Sequence, residues 1–193
     1  GSVTITDRGF VYAQTSVNPN PQLSGPGVTK VANLTPVGVT PANVGPYEST
    51  LTGLTQGTQY SYKAYVVTSA GTLYTAAGVT FTTPIAPVVV SPSLAQLAQS
   101  SAVLGGWVFD SGDSTVTERG VVYAPVGLNP DPMLGGTDVV KVAAGSGTGV
   151  FSVNVSGLAL GTTYNFKAYA LNKGGASYSS VRSFSTPATL ASV

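Results

Sequence analysis

GLALGTTYNFKAY, residues 157–169, has an earlier copy in the same chain, GLTQGTQYSYKAY, residues 53–65. Each copy contains two glycines four residues apart, which permit the positive φ angles of a sharp corner. The residues after the second glycine alternate, with Tyr60, Tyr62 and Ala64 on one side and Ser61 and Lys63 on the other, which is the period of a β-strand. The stretch therefore predicts a tight corner leading into a strand, at two places in the chain.

Tyr60 and Tyr164 open these two strands. Their position resembles the tyrosine corner of β-sandwich domains, in which a tyrosine hydroxyl bonds to the backbone of the preceding turn and holds the crossover between the sheets. Ordinary packing of a tyrosine in a sandwich core predicts the same fold. The two tyrosines thus indicate an architecture and no particular chemistry.

Other segments repeat as well. Residues 7–13 recur as 118–124 and residues 18–21 recur as 129–132, both at an offset of 111, whereas Gly53 and Gly157 are 104 apart. The first copy carries seven extra residues in a Pro-rich insertion at 34–46. We predict two homologous modules, residues 1–84 and 85–187. Residues 188–193 resemble the segment after Pro84, and they are predicted to begin a following module or to act as a donor strand.

The second module contains seven segments with strand character at regular spacing, which predicts an all-β fold of tandem antiparallel β-sandwiches of the fibronectin type III or immunoglobulin-like class. Trp107 is predicted to lie in the core. The segments are 87–91, 102–109, 115–124, 138–144, 150–155, 163–171 and 180–185.

The first module has no counterpart of residues 87–111, so we predict that it lacks its first two strands and exposes a sheet edge with an apolar groove. In a continuous tandem array, the preceding part of the same polypeptide covers the groove. In a polymer of identical chains, a neighbour's tail covers it, with Leu190 and Val193 as donor residues. The tail supplies at most one of the two strands, which favours the array.

Composition excludes several functions. Only 8% of residues are charged and the formal net charge is +1, which argues against a nucleic-acid partner. No apolar run approaches the roughly 20 residues of a membrane span. Without histidine or cysteine, the chain cannot build a Ser-His-Asp or Cys-His nucleophile, a thiolate zinc site or a disulfide. We expect no catalytic, cofactor or metal site, and we interpret Asp110 and Asp113 as turn residues rather than calcium ligands.

The motif order, from the Arg-Gly strand at 7–12 through Asn-Pro-x-Pro at 18–21 to the corner and a final Thr-Pro, resembles fibronectin type III-like repeats of secreted and surface-anchored bacterial proteins, especially of the Bacteroidetes type. The resemblance covers nearly the whole chain. It implies a non-enzymatic, extracellular structural segment of a stalk, filament or adhesin, with neighbouring modules of the same or identical chains as partners. The prolines of the linker 83–87 are expected to favour an extended arrangement of modules.

The alternative is a binding module that recognises a surface glycan or protein through its end loops or the 34–46 insertion. Asn43 and Tyr47 are the candidate recognition residues there. The recurring cations are interpreted as structural, most simply as partners of carboxylates such as Asp7 and Glu118. Possible glycosylation triplets begin at Asn33, Asp113 and Asn154, although such triplets are frequent by chance in Thr- and Ser-rich chains. The recurring cations are Arg8, Lys30, Lys63, Arg119, Lys141 and Lys167.

Overall fold

The computed structural model of the protein describes residues 4–32 and 46–188, and all regular structure in this part is β-strand. The chain divides into two compact units, unit 1 (Gly1–Thr83) and unit 2 (Pro84–Val193). Within the described ranges no helix is long and apolar enough to cross a membrane.

Unit 1 forms one antiparallel sheet. The strands lie in the order β2-β1-β3-β4, and β5 pairs with the other half of β3. β1 and β3 are rich in aromatic and β-branched residues, which favour strands in a sheet. The strands are β1 (Ile5–Gln14), β2 (Thr29–Ala32), β3 (Gln59–Thr68), β4 (Gly71–Tyr74) and β5 (Val79–Thr82).

Unit 2 contains two antiparallel sheets. One has the order β10-β7-β6, and the other has the order β12-β11-β8-β9 with β13 pairing along β11. The predicted all-β, antiparallel fold class is confirmed, and unit 2 is a β-sandwich of the fibronectin type III-like kind. The strands are β6 (Val88–Ala95), β7 (Ser101–Asp110), β8 (Glu118–Pro125), β9 (Val140–Ala143), β10 (Gly149–Ser156), β11 (Thr163–Asn172), β12 (Gly175–Tyr178) and β13 (Arg182–Ser185).

The core of unit 2 lies between its two sheets. Inward-facing residues of β7 pack against those of β8 and β11, which removes apolar surface from water and is the main stabilising contribution. Leu104, Val108, Val121 and Phe166 have no or almost no exposed surface.

Trp107 is not in this core, so the prediction for it was wrong. Its side chain is 39% exposed, whereas Leu104 and Val108 are fully buried. Alternate residues of a strand face opposite sides, and Gly106 takes the inward position beside Trp107. A Cβ at Gly106 would lie 2.3 Å from the Cβ of Ala168, so the strand approaches the facing sheet too closely for a larger residue. Because segment 102–109 is apolar on both faces, its pattern does not indicate which face is buried.

The inner face of unit 1 is less covered than its counterpart in unit 2. Six of its residues are only half-buried, although their counterparts at the repeat offsets are all buried. We call these six residues the open face. They are Phe10, Tyr12, Tyr62, Ala64, Val66 and Phe81, and their buried counterparts are Val121, Tyr123, Phe166, Ala168, Ala170 and Phe184. The last pair is 103 residues apart and is matched by strand register, because Phe81 lies opposite Tyr60 as Phe184 lies opposite Tyr164.

The described part of unit 1 differs from unit 2 at one further strand position. Residues 46–52, the counterpart of β10, contain no strand. Among the described residues of unit 2, β10 pairs only with β7. The described part of unit 1 has no counterpart of β7.

Candidate functional site

In unit 2, Tyr164 and Thr186 both hydrogen-bond to the backbone of one corner residue, Ala159. The N–H of Ala159 donates a hydrogen bond to the Tyr164 hydroxyl at 2.9 Å, and the Thr186 hydroxyl donates to the Ala159 carbonyl at 2.6 Å. The N–H of Thr162 donates to the Thr186 hydroxyl at 3.0 Å. Gly157 and Gly161 have φ angles of +74° and +58°, which turn the chain between these bonds. We call this arrangement the Tyr–Thr clamp.

Unit 1 repeats the clamp with nearly the same distances. The N–H of Thr55 donates to the Tyr60 hydroxyl at 3.0 Å, and the Thr83 hydroxyl donates to the Thr55 carbonyl at 2.5 Å. Thr83 also accepts from the N–H of Thr58 at 3.0 Å. Sequence reasoning singled out the tyrosines and overlooked the threonines as site residues. The signal that could have found them is the recurrence of Thr-Pro at the end of each module.

A second repeated arrangement joins a carboxylate, a lysine and a tyrosine. In unit 1 the Lys30 ammonium lies 2.6 Å from Asp7, and the Tyr65 hydroxyl donates to the same carboxylate at 3.1 Å. The hydrogen bond that Lys30 donates to Asp7 is the main cause of a raised pKa at Lys30. Burial is the main cause of a raised pKa at Tyr65. The carboxylate therefore has an internal partner on each side.

In unit 2 the corresponding residues are Glu118, Lys141 and Tyr169. Lys141 lies 2.7 Å from the carboxylate, and the Tyr169 hydroxyl donates to it at 2.7 Å. Hydrogen bonds from Lys141 and then from Tyr169 hold the pKa of Glu118 below its ordinary value. Burial, followed by the neighbouring carboxylate, raises the pKa of Tyr169 strongly. Glu118 is consequently held in its charged form.

The two repeated arginines stack on aromatic rings of the neighbouring segment. The Arg8 guanidinium lies 5.0 Å from the ring centre of Tyr47, and that of Arg119 lies 5.3 Å from Phe151. Arg119 also donates to the carbonyl of Thr148 at 2.6 Å. Neither arginine forms a salt bridge with a carboxylate among the described residues. Their recurrence is thus explained by ring stacking, to which Arg119 adds hydrogen bonds to backbone carbonyls.

Tyr47, a candidate recognition residue, lies on the inner side of the unit 1 sheet. Its ring packs 5.0 Å from that of Phe10, and its hydroxyl donates to the Gly9 carbonyl at 3.1 Å. At the repeat offset it corresponds to Phe151, which belongs to the core of unit 2. Its half-buried position therefore has a structural explanation. Asn43, the other candidate, lies outside the described residues.

Each unit has one Asn-Pro-x-Pro loop, which lies over a buried lysine on the outer face of one sheet. The lysine is Lys63 on β3 in unit 1 and Lys167 on β11 in unit 2. In unit 2, Lys167 forms a salt bridge with Asp131, and the amide of Asn165 donates to the Pro130 carbonyl at 2.6 Å. In unit 1, Lys63 is only 5% exposed, and the residue corresponding to Asp131 is Asn20. The loops thus close the second face of the sheet, and only the loop of unit 2 supplies a carboxylate.

The linker between the repeats is attached to unit 2 at its first residues. The side-chain amide of Asn172 donates to the carbonyl of Ile85 at 2.8 Å and to that of Ser111 at 2.7 Å. A Cβ at Gly174 would lie 2.4 Å from the carbonyl carbon of Ile85, so only glycine permits this approach. Ile85 is therefore held at the end of the β-sandwich that follows it.

Unit 2 exposes an apolar patch on the outer face of its three-stranded sheet. Trp107 lies opposite Val90 and Val150 on the neighbouring strands, and the rings of Trp107 and Phe109 are 5.1 Å apart. Phe109 is 60% exposed and Val150 is 76% exposed. We call these four residues the outer patch. Contiguous exposed apolar residues of this kind are typical of interaction surfaces.

Some of the remaining predicted site residues lie in the described part of the chain, and others lie outside it. The Asp110 carboxylate accepts from the N–H of Gly112 at 2.7 Å, as a turn aspartate does. Asn154 is exposed on β10. Leu190 and Val193 of the predicted donor tail, like Asn33, lie outside the described residues. Within those residues, His, Cys, Asp and Glu side chains form no group of three that could hold a metal ion.

No protein-family model matches the chain, and no curated protein sequence matches it. The chain does match solved structures. The fibronectin type III domain of human collagen XX is 20% identical, with 53% of this chain and 94% of that chain covered and a TM-score of 0.39. The sensor domain of the anti-sigma factor RsgI4 from Pseudobacteroides cellulosolvens is 19% identical, with coverage of 54% and 98% and a TM-score of 0.43.

The FN1–FN3 domains of chicken CNTN1 are 16% identical, and the match covers 93% of this chain and 54% of that chain, with a TM-score of 0.42. Because all these similarities are distant, the fold class rests on the strand order described above.

Proposed function

We propose that the chain is a non-enzymatic structural segment of a bacterial secreted or surface protein, whose β-sandwich units act as serial spacers. The observation that carries this proposal is the set of contacts that the repeated side chains make. Tyr60 and Thr83 hold their own corner, and Asp7 and Lys30 hold each other, as their counterparts do in unit 2. The side chains that recur in both units therefore bond to partners inside their own unit and stabilise its fold.

The electrostatics of the shared carboxylate support the same function. A catalytic general acid needs a raised pKa, so that it keeps a proton to donate at neutral pH. Glu118 has the opposite shift, because Lys141 and Tyr169 stabilise its charged form. Lys141 and Tyr169 already donate hydrogen bonds to the two carboxylate oxygens. Glu118 is suited to an internal ion pair.

A location outside the cell is supported by composition and by the resemblance of the motifs. Antibodies against the chain, applied to intact cells of the source organism before and after external protease, test it directly. We expect surface labelling, or release into the medium, that disappears after protease treatment. Labelling that requires permeabilised cells and survives the protease would refute the proposed location.

Recognition of a glycan or protein is a second candidate function, favoured by the outer patch of unit 2. Aromatic side chains that are exposed on a sheet face offer stacking and apolar contact to a ligand. A glycan array and a screen of matrix proteins should be probed with the chain and with its Phe109→Ser variant. Binding that the variant loses would support recognition by the patch. Blank screens, or equal binding by both proteins, would reject it. Recognition by the 34–46 insertion stays a prediction.

A further inference from the structure

The outer patch of unit 2 lies beside a position on β7 that carries no side chain. Gly105 stands two residues before Trp107, on the same face of the strand. A Cβ at Gly105 would lie 2.2 Å from the carbonyl oxygen of Phe151, so only glycine fits there. The surface over Gly105 is therefore backbone, and the Trp107 ring borders it along the strand. We call this surface the glycine strip.

Polar side chains flank the glycine strip. On β10, Ser152 lies opposite Gly105 and Asn154 lies opposite Val103, so both share the face of the strip. On β6, Ser93 lies opposite Gly105. All three polar side chains are exposed, and within the described ranges none of them has a hydrogen-bond partner. Their hydroxyl and amide groups are available to a ligand.

The charge of this sheet restricts what it can bind. β6, β7 and β10 contain a single charged residue, Asp110, and its carboxylate accepts a hydrogen bond from the N–H of Gly112 at 2.7 Å. Arg182 approaches β6 from the other sheet, where it donates to the carbonyl of Pro92 at 2.9 Å. The three strands thus offer no cation to a carboxylate, sulfate or phosphate group. Charge complementarity favours an uncharged ligand.

The size of the outer patch restricts the ligand further. The exposed parts of Trp107, Phe109 and Val150 together present roughly 300–400 Å² of apolar surface. A stable interface between two proteins takes about 800 Å² from each partner. The patch is therefore too small to hold a protein partner or a second copy of the chain by itself. It is large enough for a ligand of a few rings.

We propose that the outer patch and the glycine strip bind a neutral glycan. A sugar ring has a face of C–H groups and a rim of hydroxyl groups. The C–H face stacks on the exposed rings of Trp107 and Phe109, and the hydroxyl groups bond to the polar side chains beside the glycine strip. Ser152 and Asn154 follow Val150 on the same face of β10 at about 7 Å and about 14 Å, so a glycan that runs along the strands meets both.

This inference rests on the second candidate function, recognition by the outer patch, and it names the class of ligand. The test uses the fluorescence of Trp107, the only tryptophan in the chain. The full chain is titrated with neutral oligosaccharides of glucose, xylose, mannose and N-acetylglucosamine, and with oligogalacturonate and a sulfated oligosaccharide as charged probes. We expect a neutral oligosaccharide to shift the emission of Trp107 in a saturable way, and the charged probes to leave it unchanged.

Two variants test the proposed contacts, and both change exposed side chains. Phe109→Ser removes a stacking ring and should weaken binding by at least about tenfold. Asn154→Ala removes one polar partner and should weaken binding by about 2–10-fold. Leu128→Ser is the matched control, because Leu128 is an apolar residue of unit 2 that is as exposed as Phe109 but follows β8 in the other sheet. It should bind like the unmodified chain. Urea unfolding of each variant verifies that unit 2 is folded.

Several outcomes would overturn the proposal. If no neutral oligosaccharide changes the emission, or if a charged probe binds more tightly, the ligand class is wrong. If Phe109→Ser binds the oligosaccharide as well as the unmodified chain does, the outer patch is not the binding site, and recognition by the patch fails too. A matrix protein whose binding is lost in Phe109→Ser would keep recognition by the patch and reject the glycan. Dimerisation in analytical ultracentrifugation that Phe109→Ser abolishes would assign the patch to a second copy.

Discussion

We expect the loss of one hydroxyl group from the Tyr–Thr clamp, that of Thr186, to destabilise unit 2 more than the loss of a hydroxyl usually does. Thr186→Val keeps the shape of the side chain and removes its two shorter hydrogen bonds, the one to the Ala159 carbonyl at 2.6 Å and the one from the Thr162 N–H at 3.0 Å, together with a longer contact to the Thr162 carbonyl at 3.3 Å. Thr186 is only 3% exposed, so water cannot easily replace the lost partner. Tyr164→Phe removes one bond, that from the Ala159 N–H.

The expected magnitudes follow from the number of bonds. A buried hydrogen bond contributes about 0.5–1.5 kcal/mol net, and a donor left unpaired costs more. We therefore expect Thr186→Val to lower the free energy of unfolding of unit 2 by about 2–3 kcal/mol and Tyr164→Phe by about 1 kcal/mol. For a unit of this size, 1 kcal/mol corresponds to roughly 4 °C in Tm. The threonine variant should thus melt about 8–12 °C lower.

The assay uses the only tryptophan in the chain. Trp107 lies on β7, so its fluorescence during urea or thermal unfolding reports on unit 2 separately from unit 1. Thr162→Val is the matched control. It removes a hydroxyl from the same turn, but the bond of that hydroxyl to the Leu160 carbonyl is exposed, and we expect a loss of less than about 0.5 kcal/mol.

A double-mutant cycle tests the reasoning further. Tyr164 and Thr186 act on the N–H and the carbonyl of one residue, so their effects should not add, with a coupling of at least about 0.5 kcal/mol. If Thr186→Val is no more destabilising than Thr162→Val, the clamp does not hold the corner. Strict additivity in the cycle would show that the two side chains act independently.

Three further predictions concern other contacts. Asn20→Asp gives the buried lysine of unit 1 a carboxylate and should stabilise unit 1 by about 1 kcal/mol, whereas Asp131→Asn should destabilise unit 2 by a similar amount. Circular dichroism melts check both, and the prediction fails if Asn20→Asp has no effect. Because hydrogen bonds with Lys141 lower the pKa of Glu118 from 4.5, this pair stabilises unit 2 above that pH and stops doing so as the pH falls through the lowered pKa. Glu118→Gln should therefore lower the urea midpoint at pH 7 but much less near pH 3, and an equal loss at both values would contradict the pair. Gly106→Ala should cost unit 2 about 1–3 kcal/mol through overpacking, and unchanged unfolding would show that the sheets are not in close contact there.

Local patterns in the sequence determined the strand content, the repeat and the corner. Two glycines and a tyrosine at fixed spacing can form the turn with residues close in the chain, and Gly53 and Gly57 have the positive φ angles that the spacing requires. The alternation after Tyr60 likewise depends only on the period of a strand. Such features are visible in the sequence because their partners are a few residues away.

The tertiary structure decided every feature that depends on a distant partner. Trp107 faces outward because Gly106 occupies the inward position against β11, which the apolar segment alone does not reveal. Thr186 becomes part of the clamp because β13 returns beside the corner, 27 residues after Ala159. Residues 46–52 align with β10 in the repeat but contain no strand. Burial and ladder pairing are properties of the assembled sheets, so the sequence near a residue does not specify them.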